Sequence, residues 1–281
     1  MTDGGLETMV RKAKLTGEWK QVVVYADRHS RIASEDADLI LKKYIRDNKK
    51  QITHIVDLGD GIDNPFMSVY AVDPYFKQSA QEEFDEYAEH LAELDHIVPN
   101  AHKILLAGNH DKTRLDNTKK LNRGLASLRN LQYESVLKEA LSGAGANVAK
   151  FKMADPSYTI KMTKNNSALF THGDPRIDPH VKGGVTGARR TAEMYPFDGD
   201  IYMGHTHQHV LVPRRYEGKH LSSLGGMFDT EKMKKLYVSY HPYETGFVVI
   251  KYNKKRDLRI FQYVPIVKGR AIIDGTEYFT E

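Results

Sequence analysis

Residues 103–111 read KILLAGNHD. A short apolar run of the kind that forms a buried strand stops at Gly108. It hands over to Asn109, His110 and Asp111, which add nothing to a hydrophobic core but bind metal and move protons. The same hand-over recurs on either side. VVVYA (22–26) runs into Asp27-Arg28-His29, and HIVDL (54–58) into Gly59-Asp60. ALFT (168–171) runs into His172-Gly173-Asp174, and DIYM (200–203) into Gly204-His205-Thr206-His207. Helix-like stretches lie between the runs: EDADLILKKYIRDNKK from Glu35, SAQEEFDEYAEHLAELDHIV from Ser79 and LRNLQYESVLKEALSG from Leu128. Strand, helix, strand is the α/β rhythm, and in such sheets the loops at the strands' carboxyl ends converge on one ligand site. Five polar clusters are therefore expected to form one pocket.

After about residue 209 the pattern changes to the short runs HLSSL, KLYVSY, TGFVVIKY and LRIFQYV, separated by Gly, Pro and Asn-Lys turns, so the C-terminal third is expected to be mostly sheet. No Pro/Gly/Ser-rich linker divides the chain. The expectation is an N-terminal arm, residues 1–17, followed by one domain over residues 18–281.

Composition narrows the chemistry. The 281 residues are 40% hydrophobic, enough for a sizeable core. No apolar run reaches the roughly 18 to 20 residues that cross a bilayer, and MTDGGLETMV lacks a signal-peptide pattern, so a cytoplasmic location is expected. With no cysteine among the 281 residues there is no disulfide, thiolate metal site or cysteine nucleophile, and any metal must be held by His, Asp, Asn or Glu. The net charge of +4 is compatible with a polyanionic substrate and equally with none.

Each cluster taken singly reads as an ordinary strand exit, turn or helix cap. Five in order, each after its own strand, do not. Two Asp, one Asn and four His are more ligands than one ion needs and suit two ions sharing a carboxylate. His110 is left over. Glycines just before Asp60, Asn109 and His205 fit turns in which backbone and ion come close.

The ordered set Asp27-x-His29, Gly59-Asp60, Gly108-Asn109-His110-Asp111, His172 and Gly204-His205-x-His207 resembles the calcineurin-like metallophosphoesterases, over most of the chain. Within that superfamily the sequence is most similar to compact members encoded by phages and prophages. That similarity is carried by GNHDKTRLDNTKKLNRGLASLRNLQYESVL and GGVTGARRTAEMYPFDGDIYMGHTH. Ser30-Arg31 departs from the glycine or small apolar pair of many relatives. Gly61-Ile62-Asp63-Asn64 departs from the Asp-Arg-Gly continuation of the phosphoprotein phosphatases, which disfavours protein dephosphorylation.

The resemblance implies a four-layer αββα sandwich of two mixed sheets flanked by helices, with the β-rich C-terminal third as the second sheet's main contributor. It implies two divalent ions, manganese first, with zinc, iron or magnesium as alternatives. One would be held by Asp27, His29, Asp60 and His207, the other by Asp60, Asn109, His172 and His205, with Asp60 bridging. It further implies phosphoester hydrolysis, with His110 as proton donor to the leaving oxygen and Asp111 orienting its ring.

Substrate choice depends on the surrounding loops. Lys112, Arg114, Lys119, Lys120, Arg123 and Arg129 follow the third motif and form either a phosphate-contacting rim or a solvated helix face. Lys182, Arg189 and Arg190 bracket GGVTGA, either an anion-binding helix start or a plain glycine loop. Phe66, Tyr70, Tyr75 and Phe76 follow the second motif and either stack bases or pack a lid. His54, His90, His96 and His102 read as surface or structural. The preferred expectation is a nuclease-type phosphodiesterase with DNA or RNA as partner and Arg123, Arg189 and Arg190 as substrate contacts. The alternatives are a phosphodiesterase or phosphatase for a small, including cyclic, nucleotide, and a metal-binding module without catalysis. Oligomeric state is not legible.

Overall fold

Strand β1 (Lys20–Tyr25) is apolar on both faces, and that dictates the layering around it. Val22 and Val24 turn to one side, Val23 and Tyr25 to the other, and all four are fully buried, at about 1.5 to 3 kcal/mol for each such side chain removed from water. A strand of this kind needs cover on both faces.

The structure is a computed structural model that describes residues 18–68, 78–121, 123–173, 184–216, 218–237 and 242–281. The expected N-terminal arm lies outside these residues, as do Tyr70, Tyr75, Phe76 and Lys182. One sheet has the order β11-β10-β1-β2-β3-β4. In it β1, β2 (Ile52–Asp57), β3 (His102–Leu106) and β4 (Phe151–Ala154) run parallel, and β10 (Gly246–Asn253) and β11 (Leu258–Pro265) complete an antiparallel edge. The other sheet has the order β5-β6-β7-β9-β8 and is built from β5 (Ser157–Lys161), β6 (Ser167–Thr171), β7 (Asp200–Met203), β8 (Val210–Pro213) and β9 (His220–Ser223). Strands β12 (Arg270–Ile273) and β13 (Thr276–Phe279) form a separate hairpin.

The two sheets face each other across Val22, Val24, Val56, Ile104, Val248 and Ile250 from the first and Ile160, Ala168, Phe170 and Tyr202 from the second. Helix α1 (Glu35–Asn48) covers the outer face of the first sheet with Ile40, Leu41, Tyr44 and Ile45. It is joined there by α2 (Ala80–Ile97) and α5 (Tyr133–Gly143), which pack together around Phe84, Tyr87 and Leu137. Helix α6 (Gly184–Met194) covers the second sheet with Ala188 and Ala192. The architecture is the expected αββα sandwich. Local signals set the helix starts: Ser34 accepts from Ala37 N at the head of α1, and Ser79 and Glu82 form a reciprocal capping box on α2. The short helices α3 (Arg114–Leu121) and α4 (Arg123–Ala126) follow the third motif. No helix among the described residues is long and apolar enough to cross a membrane.

Three expectations are corrected. Strands β10 and β11 join the first sheet and not the second. In β10, Phe247 and Val249 face the α1 layer while Val248 and Ile250 face the other sheet, so the strand fits only where both faces are covered. The start of KLYVSY is helical, ending α7 (Thr230–Tyr237). Asp229 accepts from Glu231 N and Lys232 N, which caps a helix there and overrides the β-like composition. The helix expected from Leu128 begins at Tyr133, because Gln132 is extended after a single 3-10 turn at Arg129–Leu131.

Candidate metal centre

The loops after β1 and β2 are laced together by backbone hydrogen bonds: Asp27 N, His29 N and Ser30 N donate to the carbonyls of Gly59, Asp60 and Gly61, each at 2.9 Å. The loop after β3 joins through Asp60, whose Oδ1 accepts from His110 N at 2.7 Å. Two glycines permit this approach. Gly59 has φ 103°, and a Cβ there would lie 2.6 Å from Gly108 N; a Cβ on Gly108 would lie 2.0 Å from Asp60 Oδ1. Asp27 in turn accepts from His205 N at 2.9 Å, which ties in the loop after β7.

Donor atoms of three overlapping groups converge at this edge: Asp27, His29 and His207; His29, Asp60 and His110; and Asp60, His172 and His205, the atoms of each group within 4.8 Å of one another. Asn109 Oδ1 lies 3.0 Å from His172 Nε2. All seven expected ligands and His110 therefore occupy one site, with Asp27, His29, Asp60 and His172 buried and the other four half-buried. Five of the seven, Asp27, His29, Asp60, His205 and His207, have φ between 48° and 72°. A left-handed backbone costs about 1 to 3 kcal/mol at a strained position and persists where surrounding structure enforces it, commonly at functional sites.

The electrostatics require a positive charge. His172 Nδ1 lies 2.9 Å from the carbonyl of Leu58, so it carries the proton and donates. Its Nε2 then faces Asp60 Oδ2 at 3.2 Å and Asn109 Oδ1 at 3.0 Å, three acceptors that only a second proton on the ring or a bound cation can join. Burial opposes a second proton on His172, but the charge and hydrogen bond of Asp60, joined by Asp27 and Asp111, together outweigh it and push the imidazole up to about 10. Asp60 resists its own burial and is held well below the usual carboxylate range, His172 being the largest cause. Nearby, His29 Nε2 and His207 Nε2 face each other at 3.2 Å, with Asp27 Oδ1 3.4 Å from the latter. His205 Nε2 is buried without a hydrogen-bond partner among the described residues, and burial pushes that ring down to about 3. Acceptors clustered around carboxylates form a cation site, and an N/O donor set without thiolate suits borderline and hard divalent ions.

The partner of His110 corrects the sequence expectation. Asp111 does not orient its ring. The Asp111 carboxylate is fully buried and accepts from the backbone N–H groups of Asp60, Gly108 and Ile62 at 2.7, 2.9 and 3.1 Å, so it fastens the second loop to the third. Burial, and then the Asp60 charge, push it upward. Asp63 takes the ring instead, its Oδ1 2.8 Å from His110 Nδ1. Burial works against protonation of His110, but Asp60 and Asp63 raise it. Asp63 also lies 3.4 Å from His29 Nδ1 and 3.7 Å from Arg31 Nη1. Fully buried Glu83 of α2 fixes this turn by accepting from Asp63 N and Asn64 N at 2.9 and 2.8 Å. The sequence signal for Asp63 was an acid three residues beyond Asp60; Glu83 gave none beyond its place in an amphipathic helix.

The basic rim is thinner than expected. Lys112 pairs with Asp155, Lys120 Nζ donates to Asn117, and buried Lys119 pairs with Asp116 and donates to the carbonyl of Leu131. Arg129 lines a separate cavity of about 460 Å³ with Lys112 and Tyr133. Arg189 and Arg190 are exposed on α6, and among the described contacts none joins them to the cluster. The side chain of Arg123 lies outside what the structure describes. Phe66 is exposed in the turn Pro65–Met67.

No protein-family profile and no curated protein matches the chain. Among solved structures it is similar to a hypothetical protein from Pyrococcus horikoshii OT3, at 12% identity over 86% of this chain and 87% of that one, with a TM-score of 0.45. It is also similar to a purple acid phosphatase from yellow lupin seeds (12% identity, 94% of this chain, 53% of that one, TM-score 0.44). A third is the sulfate thiohydrolase SoxB of Thermus thermophilus (9% identity, 91% of this chain, 58% of that one, TM-score 0.43). The chain thus spans little more than half the length of the last two. What those proteins bind or cleave is theirs, and the chemistry of this chain has to come from its own residues.

Proposed function

We propose that the chain is a dinuclear-metal-dependent phosphoester hydrolase of the calcineurin-like metallophosphoesterase type. The observation that carries this is the convergence of metal-ligating atoms of His172, Asp60 and Asn109, with a second His and Asp group beside them, at the carboxyl edge of the strands. Asp27, His29 and His207 would hold one ion, Asn109, His172 and His205 the other, and Asp60 both. When bound, two such ions neutralise charge on the phosphoryl oxygens and acidify water, with manganese the proposed activator.

The remaining steps belong to the chain. The backbone N–H of His110 and the lacing of the first two loops hold Asp60 in place. Asp63 fixes the ring of His110 through Nδ1, which leaves Nε2 to hand a proton to the departing oxygen. Asp111 keeps the two loops in register through three N–H bonds.

The substrate we propose is a phosphodiester of DNA or RNA. Support comes from the net charge of +4 and the exposed pair Arg189 and Arg190 on α6 beside the last motif, where Gly187 would bring a Cβ within 3.8 Å of Thr206. The test is a panel of bis- and mono-p-nitrophenyl phosphate, cyclic nucleotides, and single- and double-stranded DNA and RNA, each with manganese, magnesium and zinc. Metal-dependent cleavage of nucleic acid with a steep salt dependence is expected. Cleavage of cyclic nucleotides alone would replace nucleic acid with a small nucleotide as the substrate, and no cleavage of any ester would overturn the hydrolase itself.

A further inference from the structure

One cation after the third motif is largely buried beside a carboxylate that it shares with His110, His29 and Arg31. Arg114 opens α3 with its side chain only 14% exposed. Its Nη1 donates to the backbone carbonyl of Asp63 and lies 3.5 Å from Asp63 Oδ1, while Nη2 lies 3.3 Å from His110 Nε2. That nitrogen is 4.0 Å from Asp60 Oδ2, so the guanidinium borders the cluster on the side of the proton donor. Lys112, Lys119 and Lys120 are engaged elsewhere, which leaves Arg114 as the cation of this stretch aimed at the cluster among the described side chains.

The contact with His110 has a definite sense. Arginine only donates, so Nε2 of His110 accepts and its Nδ1 donates to Asp63. A neutral imidazole nitrogen is a poor match for a guanidinium, whose fork fits two oxygens of a phosphoryl group and binds charged acceptors about twice as strongly as neutral ones. The same bond also blocks the atom that must carry the departing proton.

We propose that Arg114 is a substrate-binding residue. Its guanidinium takes the non-bridging oxygens of the substrate's phosphoryl group and, in turning to them, releases Nε2 of His110, which is then free to take up from water the proton it passes to the departing oxygen. Asp63 is the pivot, because it holds the arginine through its carbonyl and the imidazole through its carboxylate. This rests on the phosphoesterase assignment and adds a residue that contacts the substrate and a reason for its place beside His110.

Inorganic phosphate is the probe. Its binding to the purified protein is measured by calorimetry together with metal content, and hydrolysis is followed with bis-p-nitrophenyl phosphate and with a diester having a poor leaving group. Arg114→Ala is expected to retain its metal, to weaken phosphate binding about 10- to 100-fold, the loss of a charge-assisted hydrogen bond, and to raise KM by a similar factor for both esters alike. Arg114→Lys, which keeps a charge without the fork and spares the fold if alanine does not, is expected to fall between the two. Unchanged phosphate affinity in a metal-loaded Arg114 variant overturns the proposal. So does a loss confined to the poor leaving group, which would make Arg114 a positioning residue for His110. A parent protein that holds no metal and cleaves neither ester removes the phosphoesterase assignment itself, whereas an active parent with an indifferent Arg114 removes only this contact.

Discussion

Two buried histidine–carboxylate assemblies lie at opposite edges of the second sheet. At the amino ends of β7 and β9, Asp200 lies 3.1 Å from His220 Nδ1 and accepts from Arg259 Nη2 at 2.6 Å, and the His220 ring stacks on Phe261 at 4.1 Å. Every charge in that assembly meets its opposite within the chain, and none of the three residues has a left-handed backbone. At the carboxyl ends, His172, Asp60 and Asn109 converge, the flanking loops are held in the left-handed region, and among the described side chains no arginine or lysine pairs with Asp27 or Asp60, Arg114 reaching only the margin beside His110. The residue types are alike, but one assembly is closed by an arginine of the chain, and the other calls for a positive charge that only a second proton on His172 or a bound cation supplies. A histidine beside a buried aspartate is therefore not in itself a metal site; the test is whether the chain supplies the positive charge.

Substitution separates the two most sharply. Asp60→Asn is expected to abolish turnover and lower metal content together, because the remaining ligands no longer offset repulsion between two cations. Asp200→Asn is expected to leave metal content alone while destabilising the fold by about 3 to 5 kcal/mol, since Arg259 loses its buried partner. Metal analysis and thermal unfolding of both variants decide it, and a loss of metal from Asp200→Asn would break the contrast.

His110→Ala comes next. With both ions and the fold retained, turnover of substrates with poor leaving groups is expected to drop about 10²- to 10⁴-fold, and less with p-nitrophenolate, which departs without a proton. An equal loss on both leaving groups would remove His110 as the acid. A smaller effect is expected at its support. Asp63→Asn should cost about 10- to 100-fold with the same leaving-group dependence, as for other residues that orient a working side chain. Asp111→Asn should instead loosen the loops and reduce stability, with no leaving-group preference; a preference there would restore Asp111 as the partner of the ring.

The sequence made some of this plain and hid the rest for physical reasons. A parallel strand buried on both faces is a short apolar run, and its end is marked by the first residues that cannot be buried, so Asp27, Asp60, Asn109, His172 and His205 stood out. Which carboxylate holds His110 was not legible. Asp111 is adjacent in sequence, but its oxygens are consumed by three backbone N–H groups that only the folded loops bring together, and Asp63 arrives from another strand. The fate of the basic residues was hidden for a similar reason, since Lys112 and Lys119 find partners only in three dimensions. The strand-like composition of KLYVSY misled because the Asp229 cap acts from outside that segment.

The smallest expected effect lies at the amino edge of the first sheet. His54 pairs with His102 across β2 and β3, with ring centroids 5.2 Å apart, and burial, then His102, push His54 down to about 4. A histidine depressed in the fold binds its proton more readily when unfolded. Its cost is absent above the unfolded value near 6.5 and grows as pH falls from there toward 4. His54→Gln is therefore expected to recover on the order of 1 kcal/mol at pH 5 and nothing at pH 8, read from urea unfolding at both. Equal changes at the two pH values would show that packing and not charge is at work.

The central claim is that the carboxyl-edge assembly needs cations from outside the chain, and the most direct measurement is the metal content and melting temperature of the purified protein before and after exhaustive chelation. The expected result is about two divalent ions per chain, lost on chelation with a fall in melting temperature and of phosphoesterase activity, both restored by manganese. A chelated protein that holds no ion and keeps its melting temperature and full activity would contradict the account.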